Sequence, residues 1–326
     1  MGIHASPTCV MQFDDAVGEL VGHPNGGMAA MFGMMNPARV AIGLQGVSIG
    51  ERVLQQARSY AAERRQGAAG GVSPAPIIEH PDVRRMLVDI AVSTHACRLL
   101  VYATSIAADQ ARHLVDEEAR RAAQMRADLL TPLAKAYPTD EGVRLASLAI
   151  QVHGGMGFIE ETGVAQRYRD ARIAPIYEGT NGIQAIDLVG RKVARDSGAA
   201  LTALLDELAV VAGRAHAVPA LQAQAAAVQA AIEAARREAA WVVANFAVRR
   251  NDVLAGATAF LRLVACTVAG ALLLDQAVDA VESTPDSSAT RQLLAQLQFF
   301  TLDQLESVTC TASIRIGDEV LTAALG

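Results

Sequence analysis

Apolar positions at helical spacing dominate this chain from Pro37 onward. Val40, Leu44, Val47, Val53 and Leu54 recur at near-helical intervals up to Arg64-Arg65. Pro37 suits a first-turn position, where its missing N–H would have no partner anyway. The pattern predicts a helix of about 28 residues, roughly 42 Å long. Gln66 to Pro76 is a Gly/Ala/Ser/Pro loop. Pro81 opens a second helix, carried by Val83, Met86, Leu87, Ile90, Val101 and Ile106 to about Glu117. A third is predicted from about Arg121 to Val152, with Pro132 and Pro138 as candidate break points and a stop at His153-Gly154-Gly155-Met156-Gly157. A fourth begins after Gly182. Long helices with short connections predict an all-α fold, an antiparallel long-helix bundle.

The two ends of the chain read differently. Thr8 to Phe13 is a short β-type run, Asp14-Asp15 a turn, Gly18 to Gly22 a short apolar stretch, and His23-Pro24-Asn25-Gly26-Gly27 a firm break. One or two strands bury no face alone, so residues 1–30 read as a short β remnant, the tail of a sheet domain. Residues 31–197 form the bundle. Residues 198–326 are Ala-rich helical segments with turns at Val218-Pro219 and Ser283 to Asp286, and they read as an appended helical subdomain for packing or assembly.

Composition agrees with helices: 52% of the 326 residues are hydrophobic but only 4% aromatic. The net charge of −6, with no long block of like charges, speaks against nucleic-acid binding. Cys9, Cys97, Cys266 and Cys310 lie far apart with no metal-ligand spacing, and read as buried, reduced thiols of a cytoplasmic protein. His153 and His95 stand alone, so no metal is expected. Met1 to His4 shows no secretory pattern. The most apolar run, Leu263 to Leu274, is flanked by Arg262 and Asp275 and is too short to span a bilayer. A soluble protein with no membrane partner is the expectation.

Chemistry concentrates in Ile176-Tyr177-Glu178-Gly179-Thr180-Asn181-Gly182-Ile183-Gln184. Read locally, Glu178 is a loop acid before a helix whose N-cap is Thr180 or Asn181. Arg39 and Arg64 read locally as solvated helix arginines, and Gly154-Gly155 as an ordinary helix stop.

Four features together resemble the acyl-CoA dehydrogenase family. Met1 to Gly22 is similar to the closing segment of the family's β-domain. Arg39 and Arg64 stand at the spacing of two family arginines on one long helix. Gln151-Val152-His153-Gly154-Gly155-Met156-Gly157-Phe158 resembles the motif Gln-x-x-Gly-Gly-x-Gly-Phe/Tyr. Arg169 to Ile173, followed by Ile176 to Thr180, resembles the signature stretch. The resemblance covers residues 1 to about 195, the family's N-terminal helical domain and most of its β-domain having no counterpart here. The remainder is similar to the larger members, including the 3-methylmercaptopropionyl-CoA dehydrogenase group.

The resemblance implies FAD-dependent α,β-desaturation of an acyl-CoA thioester, with Glu178 as α-proton base and the β-hydride passing to flavin N5. An apolar, water-poor site raises a carboxylate's basicity. It implies FAD contacts from Arg64, Gln151, Gly154, Gly155 and Thr180, and substrate contacts from Arg39, Tyr177 and Gly179. Met34, Met35 and Asn36 belong to the same substrate path. Gly182 and Gln66-Gly67 depart from the family pattern at positions that contact FAD. Electron-transfer flavoprotein is the implied acceptor, and a homodimer or homotetramer the implied assembly, since helices this apolar would otherwise expose large patches. The alternatives are an acyl-CoA oxidase and a noncatalytic helical oligomerisation module with weak or no flavin binding. The nucleic-acid-associated flavoprotein branch fits the acidic balance poorly.

Overall fold

The computed structural model describes residues 1–325. Three long helices make the bundle: α1 (Gly27–Glu63), α2 (Pro81–His113) and α3 (Glu117–His153). Short helices α4 (Gly155–Phe158) and α5 (Val164–Ala171) follow, then α6 (Asn181–Asp187), which runs on as a π-helical stretch Leu188–Ala194. The C-terminal part comprises α7 (Ala199–His216), α8 (Gln222–Asn245), α9 (Arg250–Ala255), α10 (Ala257–Ser283), α11 (Ser288–Phe300), α12 (Glu306–Thr309) and α13 (Asp318–Leu325). The all-α bundle is as expected.

Its details depart from expectation where local rules yield to context. Pro37 lies inside α1, which starts ten residues earlier at Gly27. Met and Ala at 28–31 are good helix formers, and Pro37 removes one hydrogen bond on an exposed segment. Pro132 and Pro138 likewise sit within an unbroken α3, whose N-cap is Asp116 accepting from the Ala119 N–H at 2.7 Å. The β-type run Thr8 to Phe13 forms no strand. Nothing lies beside it to complete a ladder, and its residues are exposed, so its β pattern is not expressed. Residues 1–6 instead reach α5, where the Ile3 N–H donates to Asp170 Oδ1 at 2.5 Å. Only Cys97 and Cys266 are buried thiols; Cys9 and Cys310 are exposed, because each lies outside the packed helices.

The C-terminal helices are fused to the bundle by α10. Phe260, Leu263, Val264, Leu273 and Leu274 are fully buried in one core with Leu100, Leu129, Leu133 and Leu188. Both α2 and α10 are long and apolar enough to cross a membrane by composition, and both spend that apolarity on packing here. Polar ties cross the same seam. Arg144 grips Asp89 with two bonds of 2.7 and 2.8 Å and also holds Glu141, toward which Arg262 of α10 reaches at 3.8 Å.

One crossing positions the site. At Gly43 a Cβ atom would lie 1.9 Å from the Ala134 carbonyl oxygen of α3, and at Gly46 it would lie 2.1 Å from that of Pro138. Pro138 has no N–H to return to Ala134, so that carbonyl is free to face α1. The two backbones therefore touch, which sets Arg39, one turn before Gly43, over Lys135, the residue after Ala134.

Candidate active site

The residues singled out from sequence fall into two groups in space. Arg64, Gln151, Gly154 and Gly155 line one cleft of about 580 Å³ at the end of α1 and α3. Arg64 is not on the helix, as the spacing implied, but is the C-cap residue of α1 in extended conformation (φ −65°, ψ 126°). Its backbone is held by its own N–H to the Tyr60 carbonyl (2.8 Å) and by the Ile77 N–H to the Arg64 carbonyl (2.7 Å). Gly154 ends α3 at φ +61°, a region that favours glycine, and a Cβ at Gly154 or Gly155 would meet nothing within 4 Å. Sequence reasoning missed the floor of this cleft. Tyr60 stacks on His153, with ring centroids 4.4 Å apart. His153 Nδ1 donates to the Ala149 carbonyl at 2.7 Å, and burial lowers its pKa.

The second group surrounds Glu178. Glu178 (φ +55°) and Gly179 (φ +83°) both adopt the left-handed conformation, which costs Glu178 about 1–2 kcal/mol. The turn persists because both ends are tied down. The Asn181 N–H donates to the Pro175 carbonyl at 2.9 Å. Gln184 Nε2 donates to the carbonyls of Glu178 (3.3 Å) and Gly179 (3.4 Å). Thr180 is the N-cap of α6 and accepts the Ile183 N–H at 3.2 Å. It lies on this turn and does not line the Arg64 cleft. Tyr177 donates its hydroxyl to Gln45, and burial raises its pKa.

Arg39 packs against the same turn. It is only 8% exposed, its Nε has no hydrogen-bond partner, and its Nη2 lies 3.9 Å from where a Gly179 side chain would begin. A side chain at Gly179 would also sit 2.9 Å from Gln184 Nε2, so this glycine answers both to its backbone and to its neighbours. Beside it is Lys135, completely buried, whose Nζ donates to Asn181 Oδ1 at 2.8 Å. Burial lowers the pKa of Lys135 to about 8, with Arg39 also lowering it while Asp140 and Glu178 raise it. The two N–H groups of Asn181 Nδ2 in turn face three acceptors, Asp140 Oδ1 (2.7 Å), Thr139 Oγ1 (3.0 Å) and the Ala136 carbonyl (3.1 Å). Lys135 and Asn181 were missed as site residues. The available signal was a lone lysine inside the apolar run Leu129 to Tyr137, since a buried ammonium requires a partner. Gly182 is exposed.

This arrangement offers a carboxylate on a hydrogen-bonded turn beside two buried cations, and an open cleft with a guanidinium, a carboxamide and bare backbone. A family profile described as "Acyl-CoA dehydrogenase, C-terminal domain" matches residues 25–194, and one described as "Acetyl-CoA dehydrogenase C-terminal like" matches residues 199–324. The chain belongs to the acyl-CoA dehydrogenase family. It is 53% identical over 216 residues to 3-methylmercaptopropionyl-CoA dehydrogenase of Ruegeria pomeroyi, covering 65% of this chain and 37% of that protein. It is 31% identical to a butyryl-CoA dehydrogenase of Syntrophomonas wolfei, covering 94% of this chain and 53% of that one. Among solved structures, Caenorhabditis elegans ACDH-11 in complex with C11-CoA superposes with a TM-score of 0.73 at 22% identity, over 87% of this chain and 46% of that one. A Bacillus anthracis acyl-CoA dehydrogenase complexed with FAD gives 0.74 at 21%, over 93% and 53%. Both share the fold. The chain spans about half or less of the length of these relatives.

Proposed function

We propose that this chain carries the base-bearing helical half of an FAD-dependent acyl-CoA dehydrogenase site. The observation that supports this most is the Glu178 turn, a carboxylate held in a left-handed conformation between Arg39, Lys135 and the bare backbone of Gly179. Glu178 takes the α-proton of a bound acyl thioester. Gly179, with no side chain, lets the thioester lie along the backbone. Arg39, with its unpaired buried Nε, and Tyr177 orient the CoA-bearing part of the substrate. A guanidinium suits the phosphates there, because charge-assisted bonds are stronger than neutral ones.

The Arg64 cleft fits the adenine and diphosphate part of FAD in its donor set. Arg64 offers charge, Gln151 a carboxamide, and Gly154-Gly155 backbone that nothing shields. When bound, FAD supplies the hydride acceptor for the β-carbon. Thr180, as the cap of α6, keeps a hydroxyl proton for a flavin contact. Electron-transfer flavoprotein as acceptor, a cytoplasmic location, and a homodimer or homotetramer complete the reading. The exposed Met28, Met31 and Met34 on the first turns of α1 favour burial against another body.

A second reading, a noncatalytic helical assembly module, is favoured by the exposure of Arg64, Gln151, Gly154 and Gly155. These residues form one wall of a cleft, and a ligand with half its contacts binds weakly. Anaerobic mixing of the chain with excess FAD and a panel of straight-chain acyl-CoA thioesters separates the two. Bleaching of the flavin that Glu178→Gln slows by about 10²–10⁴-fold fits a general base. No bleaching with any thioester at saturating FAD leaves the assembly role. Oxygen consumption after bleaching separates an oxidase from a dehydrogenase.

A further inference from the structure

The Glu178 turn is held from beneath by a residue that costs the fold stability. Lys135 is wholly enclosed in the bundle, and among the described residues its Nζ has one side-chain partner, Asn181 Oδ1 at 2.8 Å. A buried ammonium is unfavourable unless well paired, and an apolar side chain of similar size is often no worse for stability. Leu129, Leu130 and Leu133 show how readily this stretch of α3 fills with apolar side chains. The lysine therefore calls for a local reason.

Asn181 supplies that reason. It is the first residue of α6, three positions after Glu178, and its side chain is saturated by α3. Oδ1 takes the Lys135 ammonium and, at 3.3 Å, the Thr139 hydroxyl, while Nδ2 reaches Ala136, Thr139 and Asp140. Lys135 fixes which way the amide points, because an ammonium can only donate and so pairs with the oxygen end. With the amide so oriented, Nδ2 must face Asp140. The start of α6 is thereby fastened to α3, and the Asn181 N–H to the Pro175 carbonyl closes the loop that holds Glu178 in its strained conformation. Strained residues persist only where their surroundings over-determine them.

We propose that Lys135 is a positioning residue for Glu178, acting through Asn181 to hold the Glu178–Gly179 turn in its left-handed conformation. Arg39 from α1, Asp140 from α3 and Glu178 itself are the charged groups facing the ammonium. The importance of the turn rests on the reading of Glu178 as proton acceptor, but the fastening itself does not depend on it.

The test is amide hydrogen exchange over residues 176–184, compared with global urea denaturation, in wild type, Lys135→Met, Lys135→Gln, Asn181→Ala and the Lys135→Met/Asn181→Ala double variant. Lys135→Met speeds exchange in the turn tenfold or more while the denaturation midpoint stays level or rises. Asn181→Ala does the same, and the double variant is no faster than either single one. Lys135→Gln, which retains an N–H donor for Asn181 Oδ1, returns exchange to within threefold of wild type. The proposal is overturned if exchange in Lys135→Met stays within threefold of wild type. It is equally overturned if the faster exchange matches a fall in global stability, if the double variant is faster by the product of the two single effects, or if Lys135→Gln is as fast as Lys135→Met. None of these outcomes requires flavin or turnover, so an inactive chain would refute the catalytic reading and leave this result standing.

Discussion

Replacing Gly43 with alanine adds one methyl group at the point where α1 and α3 are closest. In a helix interior with free space the change is favourable, by about 1 kcal/mol of propensity. Gly213 in α7 provides that reference, because a Cβ there meets nothing within 4 Å. At Gly43 the new atom would lie 1.9 Å from the Ala134 carbonyl oxygen, about 1.4 Å inside the roughly 3.3 Å at which carbon and oxygen pack. The obstacle is backbone, so no rotamer change relieves it and the helices must part. Such overpacking costs about 1–3 kcal/mol, which offsets the propensity gain and leaves Gly43→Ala about 1–3 kcal/mol below Gly213→Ala. At about 2–4 °C per kcal/mol for a large domain, thermal unfolding should place Gly43→Ala at or below wild type and Gly213→Ala above Gly43→Ala. A Gly43→Ala protein melting with or above Gly213→Ala would refute the backbone contact, and with it the placement of Arg39 over Lys135.

Two further outcomes follow from the site. Arg64→Met should weaken FAD binding by about 10–100-fold, the loss of a charged hydrogen bond, read by quenching of flavin fluorescence; equal affinity would remove Arg64 from the cofactor site. Lys135 should leave a mark on stability against pH. The unfolded chain keeps this proton up to the usual lysine pKa of about 10.4, whereas the folded chain releases it near 8. Between those values the unfolded state binds more protons, so wild-type stability rises with pH relative to Lys135→Met. Parallel urea midpoints for the two proteins from pH 7.5 to 10 would show that the ammonium is not buried as described.

What the sequence conveyed was the rhythm and the punctuation, and what it withheld was contact. The helical period of Val40 to Leu54 and the stop at Gly154-Gly155 were legible because each depends on neighbours in the chain. The extension of α1 back to Gly27 was hidden by a rule about Pro37 that holds only when the preceding residues are poor helix formers. The pattern at Thr8 to Phe13 has the right residues for a strand, but a strand needs a partner that local sequence does not name. Glu178 drew attention through its neighbours Tyr177 and Gly179. That Glu178 itself adopts positive φ could not be read, since only glycine announces that conformation. Lys135 and Asn181 lie 46 positions apart, and Tyr60 and His153 further still. Their pairing depends on how α1 and the α6 turn cross α3, which no periodicity encodes.

Whether Glu178 is a base is tested most directly by α-deuterium washout. An acyl-CoA deuterated at the α-carbon is incubated with the chain and FAD in ordinary water, and loss of label is followed by NMR. Wild type should lose label at least about a hundredfold faster than Glu178→Gln, with acyl-CoA affinity unchanged between them. Equal washout in the two proteins at matched thioester occupancy would contradict the assignment of Glu178 as the proton acceptor.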